Sequence, residues 1–268
     1  MAVVTGDARR VGWAPEGIEA TWGALETLCR ARIFFAHQSV GENLLAGLRD
    51  WIEASPGLVP RIVATQNGAA LAPGTIAHAR AGRNGDPEGK LAAFEALLGQ
   101  GLAGRTDIAL LELCFTDVGA RTGVEALFFR YQQTFERLAR RHPHVRFVHV
   151  TVPLTGRPGG VRRFLAARLG RGGAWARDNL ARHRFNEALR AHAPGLFDLA
   201  AVEATDPAGR EWSVAIDGHE APVLAGPYTD DGGHLNRDGR RHAARRLIAV
   251  LAETVAARGP GGTSHEAG

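Results

Sequence analysis

Short apolar runs recur along the chain, and longer stretches with helically spaced apolar residues separate them. Near-continuous apolar runs of this kind are typical of strands buried on both faces of a parallel sheet. The predicted buried strands are residues 33–36, 61–65, 108–113, 146–152 and 196–199. The alternation therefore predicts parallel strands joined by crossover helices.

Apolar stripes at helical spacing predict the connecting helices. Asp86, Pro87 and Glu88 supply an N-cap, a proline at the first helical position and an acid in the first turn, so one helix begins there. The stripes are Val40, Leu44, Leu45, Leu48, Trp51 and Ile52; Leu91, Phe94, Leu97 and Leu98; Leu127, Tyr131, Phe135 and Leu138; and Leu247, Ile248, Leu251 and Val255. Each stripe predicts one amphipathic helix.

These elements together predict an α/β protein, a three-layer α/β/α sandwich around a doubly wound, flavodoxin-like parallel sheet of about five strands. Ligands of such folds bind outside the carboxyl ends of the strands. Ser39 and Thr116 fall at predicted strand ends, and Gly85 lies in the connection after the second predicted strand.

The length of 268 residues and the 45% hydrophobic content predict one main domain. We expect a leader and a helix in residues 1–30, the domain in 31–258, and a disordered Gly-rich tail in 259–268. Two irregular insertions, 155–178 and 204–228, are long enough to act as lids or substrate walls.

Charge and cysteine content exclude several classes of protein. The net charge is +4, but the basic residues are scattered arginines with Lys90 as the only lysine, so we expect no nucleic-acid partner. Cys29 and Cys114 lack metal-ligand or redox spacing, and Cys114 is predicted to be a buried core residue. No signal-peptide core or membrane-spanning run appears, which predicts a cytoplasmic protein without a membrane partner.

The candidate chemistry lies at the two ends of the predicted domain. Asp231 precedes His234 by three residues, as a carboxylate that orients a general base would, and Ser39 opens a helix after the first strand. A serine becomes an effective nucleophile when such a base removes its proton. The N–H groups of Ser39 and Gly85 are the candidate donors to an oxyanion.

Each candidate also has a purely structural interpretation. Ser39 can be only a helix N-cap, Gly85 only a glycine with positive φ in a turn, and Asp230 is a competitor of Asp231 as the partner of His234. The spacing of three residues favours Asp231. The remaining histidines that we considered, His37, His149, His219 and His242, lack metal-binding spacing, so we expect no metal and no cofactor.

The ordered segments resemble the conserved blocks of the SGNH (GDSL-like) hydrolase family over roughly residues 32–251. Ser39 matches the block I nucleophile, Gly85 the block II glycine, and Asp231 with His234 the block V pair. The usual Gly-Asp-Ser reads His37-Gln38-Ser39, and Gly-x-Asn-Asp reads Cys114-Phe115-Thr116-Asp117. Thr116 therefore stands where the family has its oxyanion-hole asparagine. Asn43 and Asn67 are the other amides considered for that role.

The resemblance implies a serine esterase that forms an acyl-enzyme on Ser39, with a small-molecule or glycoside ester as substrate. One alternative is an acyltransferase that uses the same triad with a sugar or other hydroxyl as acceptor. A second is a catalytically inactive binding protein of the same fold. A nucleotide-binding flavodoxin-like protein is disfavoured, because no G-x-G-x-x-G or P-loop motif follows the first strand.

Overall fold

The computed structural model describes residues 17–65, 71–158 and 173–257. Within these ranges, six parallel strands form one sheet in the order β2-β3-β1-β4-β5-β6. They are β1 (Arg32–His37), β2 (Arg61–Ala64), β3 (Thr75–Arg80), β4 (Ile108–Leu111), β5 (Arg146–Val150) and β6 (Leu196–Phe197). From β1, the chain first forms β2 and β3 on one side of this strand and then β4 to β6 on its other side.

Helices cover both faces of this sheet. They are α1 (Ile18–Leu28), α2 (Ser39–Ala54), α3 (Pro87–Leu97), α4 (Val124–Arg141), α5 (Ala174–His192), α6 (Leu199–Ala204) and α7 (Arg237–Ala256) in the part of the chain described. Leu25, Leu44 and Leu247 belong to the core on one face, and Phe94 and Tyr131 to the core on the other. The predicted doubly wound three-layer α/β sandwich is confirmed.

Three details of the predicted sheet need correction. All five predicted strands are present, but the described sheet has a sixth, β3, which lies between β1 and β2. Gly85 therefore follows β3 and not the second strand of the chain. The segment predicted as a buried second strand is an exposed edge, where Val63 is 42% accessible, because nothing in the described chain pairs with its outer side.

The two predicted insertions contain regular structure. The hairpin formed by β7 (Ser213–Ile216) and β8 (His219–Pro222) occupies much of residues 204–228. Helix α5 begins at Ala174, inside the segment 155–178 that was predicted to be irregular. Residues 159–172 and the predicted tail 259–268 lie outside the described residues, and the domain limits remain predictions. Within the described ranges no helix is long and apolar enough to cross a bilayer.

Helices α2 and α7 run in the same direction, and this brings the two ends of the domain together. The N–H of Leu235, just before α7, donates to Asn43 in the first turn of α2 at 3.2 Å. Further along, Arg240 contacts Asp50 at 3.0 Å, and a Cβ on Gly47 would collide with the Arg240 carbonyl oxygen. Close packing of these helices thus places the segment before α7 beside the start of α2.

Candidate active site

The turn before α7 holds a carboxylate against an imidazole. His234 Nδ1 lies 2.8 Å from Asp231 Oδ2, and Asp231 Oδ1 accepts the backbone N–H groups of Gly233 and His234 at 2.8 and 2.7 Å. An ionised carboxylate only accepts hydrogen bonds, so Nδ1 must carry the proton and Nε2 of the neutral ring is left as a base. Asp230 instead lies 3.4 Å from Asn236. The structure therefore pairs His234 with Asp231.

Asp231 is held in its ionised form. Partial burial alone would raise the pKa of this carboxyl, but the hydrogen bonds from the backbone N–H of His234, its ring and the N–H of Gly233 outweigh burial and hold the pKa well below its usual range. A carboxylate that stays negative can fix one tautomer of its histidine and stabilise the imidazolium.

Gln38 fixes the turn that carries Ser39. Its side-chain amide donates to the carbonyl oxygens of Ala81 and Gly82 at 2.9 and 2.8 Å, and its backbone N–H donates to Glu112 Oε2 at 2.8 Å. Gln38 thus ties the start of α2 to the loop after β3. Glu112 is fully buried, and this burial raises the pKa of its carboxyl.

Ser39 lies at the same end of the sheet as His234 without a direct bond to it. Its Oγ is 3.7 Å from the Sγ of Cys114, and the next residue, Phe115, packs edge-on against the His234 ring with 5.6 Å between ring centroids. In the described structure the Ser39 hydroxyl donates no hydrogen bond to His234. Catalytic hydrogen bonds often shorten only in the substrate complex.

The predicted oxyanion donor Gly85 is engaged elsewhere. Gly85 has a φ of 82°, which explains the glycine, and its N–H donates to Asp117 Oδ1 at 2.7 Å. Asp117 Oδ2 accepts from the backbone N–H of Cys114 at 2.7 Å and from Lys90 Nζ at 2.6 Å. One buried carboxylate therefore joins the loops after β3 and β4. Gly85 can donate this N–H to an oxyanion only when its hydrogen bond to Asp117 is shared or broken.

The other predicted donors differ in position. Thr116 is exposed and lines a cavity that also borders His234. The side-chain oxygen of Asn43 accepts the N–H of Leu235, so Asn43 positions the segment that carries His234. Asn67 lies outside the described residues. Of the two that the structure describes, Thr116 lines the cavity that borders the candidate base and Asn43 does not.

This cavity has a volume of about 610 Å³, which suits a small-molecule ligand. Its described walls include Phe115, Thr116, Trp175, Arg182 and His234. Part of the wall comes from the segment 155–178, whose role as a substrate wall stays a prediction. Another cavity, of about 350 Å³, lies between α4, β5 and α5, and its lining contains none of the candidate catalytic residues.

Arg182 is a site residue that the sequence reasoning missed. Its guanidinium is buried at the cavity and donates to the carbonyl oxygens of Phe115 and Val118 at 2.9 and 3.0 Å, and to Thr155 Oγ1 and Asn179 Oδ1 at 2.9 and 2.7 Å. Burial lowers its pKa to about 10, so it stays charged at neutral pH. Arg182 clamps two walls of the cavity, and its place within an Arg-rich segment gave no signal of this.

Several solved structures are similar to this chain. A proposed acylhydrolase from Bacteroides fragilis is 14% identical, with a TM-score of 0.51 over 92% of this chain and 100% of that chain. An acetyl xylan esterase is 13% identical, with a TM-score of 0.48 over 82% and 98%. A proposed lipolytic protein of the G-D-S-L family from Desulfitobacterium hafniense is 10% identical, with a TM-score of 0.45 over 82% and 99%.

No protein-family model and no curated protein matches this sequence. The TM-score of 0.51 with the acylhydrolase confirms the predicted resemblance at the level of the fold.

Proposed function

We propose that the chain is a serine hydrolase of SGNH type that cleaves a carboxylic ester. The observation that carries the proposal is the 2.8 Å contact between His234 Nδ1 and Asp231 Oδ2, which leaves Nε2 as a base at the end of the sheet where Ser39 begins α2. The fold shared with an acylhydrolase supports it.

In the first step, Ser39 Oγ attacks the ester carbonyl carbon while His234 Nε2 takes the hydroxyl proton. Asp231 stabilises the imidazolium that results. The tetrahedral intermediate collapses when the carbon–oxygen bond to the alcohol breaks and His234 returns the proton to the leaving alkoxide. This leaves the acyl group on Ser39.

In the second step, water attacks the acyl-enzyme with His234 again as base, and the acid and the free serine are released. Negative charge on the carbonyl oxygen needs donors. The N–H of Ser39 lies in the first turn of α2, where N–H groups have no partner within the helix, and the positive end of the helix dipole favours this charge. We assign the second donor to Thr116, on the cavity wall.

The described lining of the cavity includes Asp231 and His234 but not Ser39, and its composition favours a small ester that is partly polar. Arg182 and His234 provide polar groups at its wall, and Phe115 and Trp175 provide apolar surface. This combination suits a short acyl group on a small alcohol or sugar. With such a substrate, the same triad can either hydrolyse the ester or transfer its acyl group to an acceptor hydroxyl.

One observation favours the binding-protein alternative. The N–H of Gly85 is bonded to Asp117, and Thr116 stands where the family has its block III asparagine, so one of the three predicted oxyanion donors is engaged elsewhere and another is a substituted residue. Such a protein would bind an ester in the cavity without cleaving it.

A panel of acetyl to octanoyl p-nitrophenyl esters tests the proposal. We expect the wild type to hydrolyse at least one ester, and Ser39→Ala to lower kcat by roughly 10⁴-fold or more, because the nucleophile is removed. Ser55→Ala, which removes a hydroxyl just beyond the end of α2, should keep wild-type rates. Equal rates for the wild type and Ser39→Ala across the panel would favour the binding protein.

A further inference from the structure

Three potential metal ligands meet beside the turn that carries Ser39. His37 ends β1, His78 lies on the neighbouring strand β3, and Glu42 lies in the first turn of α2. One ligand atom from each lies within 4.8 Å of the others. The sequence did not reveal this cluster, because its members are far apart along the chain and β3 was not predicted.

The two imidazoles are arranged as ligands of one ion would be. His37 Nε2 lies 3.0 Å from His78 Nδ1. Two nitrogens that each lie about 2.05 Å from a tetrahedral zinc are about 3.3 Å apart, so a shift of a few tenths of an ångström would accommodate the ion. Glu42 must approach further, which a half-buried, flexible side chain at a helix start can do.

The orientation of His37 is also that of a ligand. Its Nδ1 lies 2.9 Å from the backbone carbonyl oxygen of Gln38, which can only accept a hydrogen bond, so Nδ1 carries the proton and the lone pair of Nε2 faces His78. Ligating histidines usually donate their second ring N–H to a carbonyl or carboxylate in this way.

The surroundings allow an ion to enter. His37 is fully buried, but His78 and Glu42 are half-buried, so the site opens to solvent on one side. Arg80 lies 3.5 Å from Glu42, in an exposed contact that contributes little and can be exchanged for a metal bond. Without an ion, His37 Nε2 and His78 Nδ1 must share one hydrogen between the two rings.

We propose that His37, His78 and Glu42 bind one divalent transition-metal ion of the zinc class. Two imidazoles and one carboxylate suit this class of ion and leave one position for water. Ser39 lies between His37 and Glu42 in the chain, so the ion would join the end of β1 to the start of α2 across the nucleophile turn. The ion's role is to fix that turn, and no step of the proposed hydrolysis uses the ion.

Metal binding can be measured on the full-length, untagged protein after treatment with EDTA. We expect one Co²⁺ per chain with the visible absorption of low-coordinate cobalt, displacement of Co²⁺ by Zn²⁺, and a higher Tm with Zn²⁺. His78→Ala and Glu42→Gln should each weaken binding by roughly 100-fold or more, because each removes a ligand directly. Glu42→Gln changes a half-buried side chain, so it serves if His78→Ala does not fold.

Two control variants make the result specific. His219→Ala removes an exposed histidine of β8, outside the cluster, and Ser39→Ala removes the proposed nucleophile; both should bind Co²⁺ as the wild type does. Absence of stoichiometric binding by the wild type, or binding that survives both ligand substitutions, would overturn the metal site. Either result leaves the proposed ester hydrolysis to be decided by its own assay.

Discussion

Asp231→Asn is expected to lower kcat on the best ester by roughly 10⁴-fold while the protein stays folded. The amide keeps one oxygen to accept the N–H groups of Gly233 and His234, so the turn should keep its shape. Its NH₂ group, however, faces Nδ1 of His234 and can only donate. The ring then takes the tautomer with its proton on Nε2, and it can no longer accept the proton of Ser39.

Asp230→Asn is the matched control, because it makes the same chemical change in the neighbouring residue, whose carboxylate does not contact the His234 ring. We expect kcat within about threefold of wild type, since the group acts only through an exposed 3.4 Å contact with Asn236. Steady-state kinetics on both variants, with circular dichroism as a check of folding, makes the comparison. Equal kcat values for the two variants would contradict the role assigned to Asp231.

Lys90→Met is expected to lower the free energy of unfolding by about 3–5 kcal/mol. The Lys90 and Asp117 side chains are both 0% exposed and their charged atoms are 2.6 Å apart. Without the ammonium, the carboxylate stays in the interior with only the N–H groups of Gly85 and Cys114 as partners. The loops after β3 and β4 should loosen with it, so activity should fall as well.

Urea unfolding followed by circular dichroism measures this effect. Arg130→Met is the matched control, because it breaks the exposed Arg130–Glu88 pair and should change stability by less than about 1 kcal/mol. The double variant Lys90→Met/Asp117→Asn removes both charges and should recover part of the loss. A Lys90→Met protein as stable as Arg130→Met would show that the buried pair does not hold these loops.

The layered fold was predictable because most strands are continuous apolar runs, but β3 was not. Its sequence, Thr75–Arg80, contains one large apolar residue, Ile76, among alanines and polar side chains. A strand in the interior of the sheet can be built from small residues when its neighbours supply the bulk, and local hydrophobicity does not report this. Missing β3 also misplaced Gly85.

Helix α5 was hidden for a different reason. Its buried face carries Asn179, Arg182 and Asn186, which bond the backbone and side chains of the segment after β5. Polar residues at helical spacing look like a solvent-exposed face. Only the tertiary structure shows that the amides satisfy backbone groups of the segment after β5, and that the guanidinium also satisfies the carbonyl groups of Phe115 and Val118 after β4.

The site was predictable where the chemistry is local. Asp231 and His234 are three residues apart, so their contact depends on one turn. The partners of Gly85 and His37 come from other strands and loops, at separations of 32 and 41 residues. No spacing rule covers such pairs, so the Asp117 contact and the His37–His78 cluster emerged only from the sheet order.

The central claim is that Ser39 is a nucleophile activated by His234, and covalent labelling with a fluorophosphonate tests it most directly. We expect one phosphonyl adduct per chain, located by peptide mass spectrometry on Ser39, and strongly slowed labelling in His234→Ala. A folded wild-type protein that stays unlabelled, or an adduct on another residue, would contradict the claim.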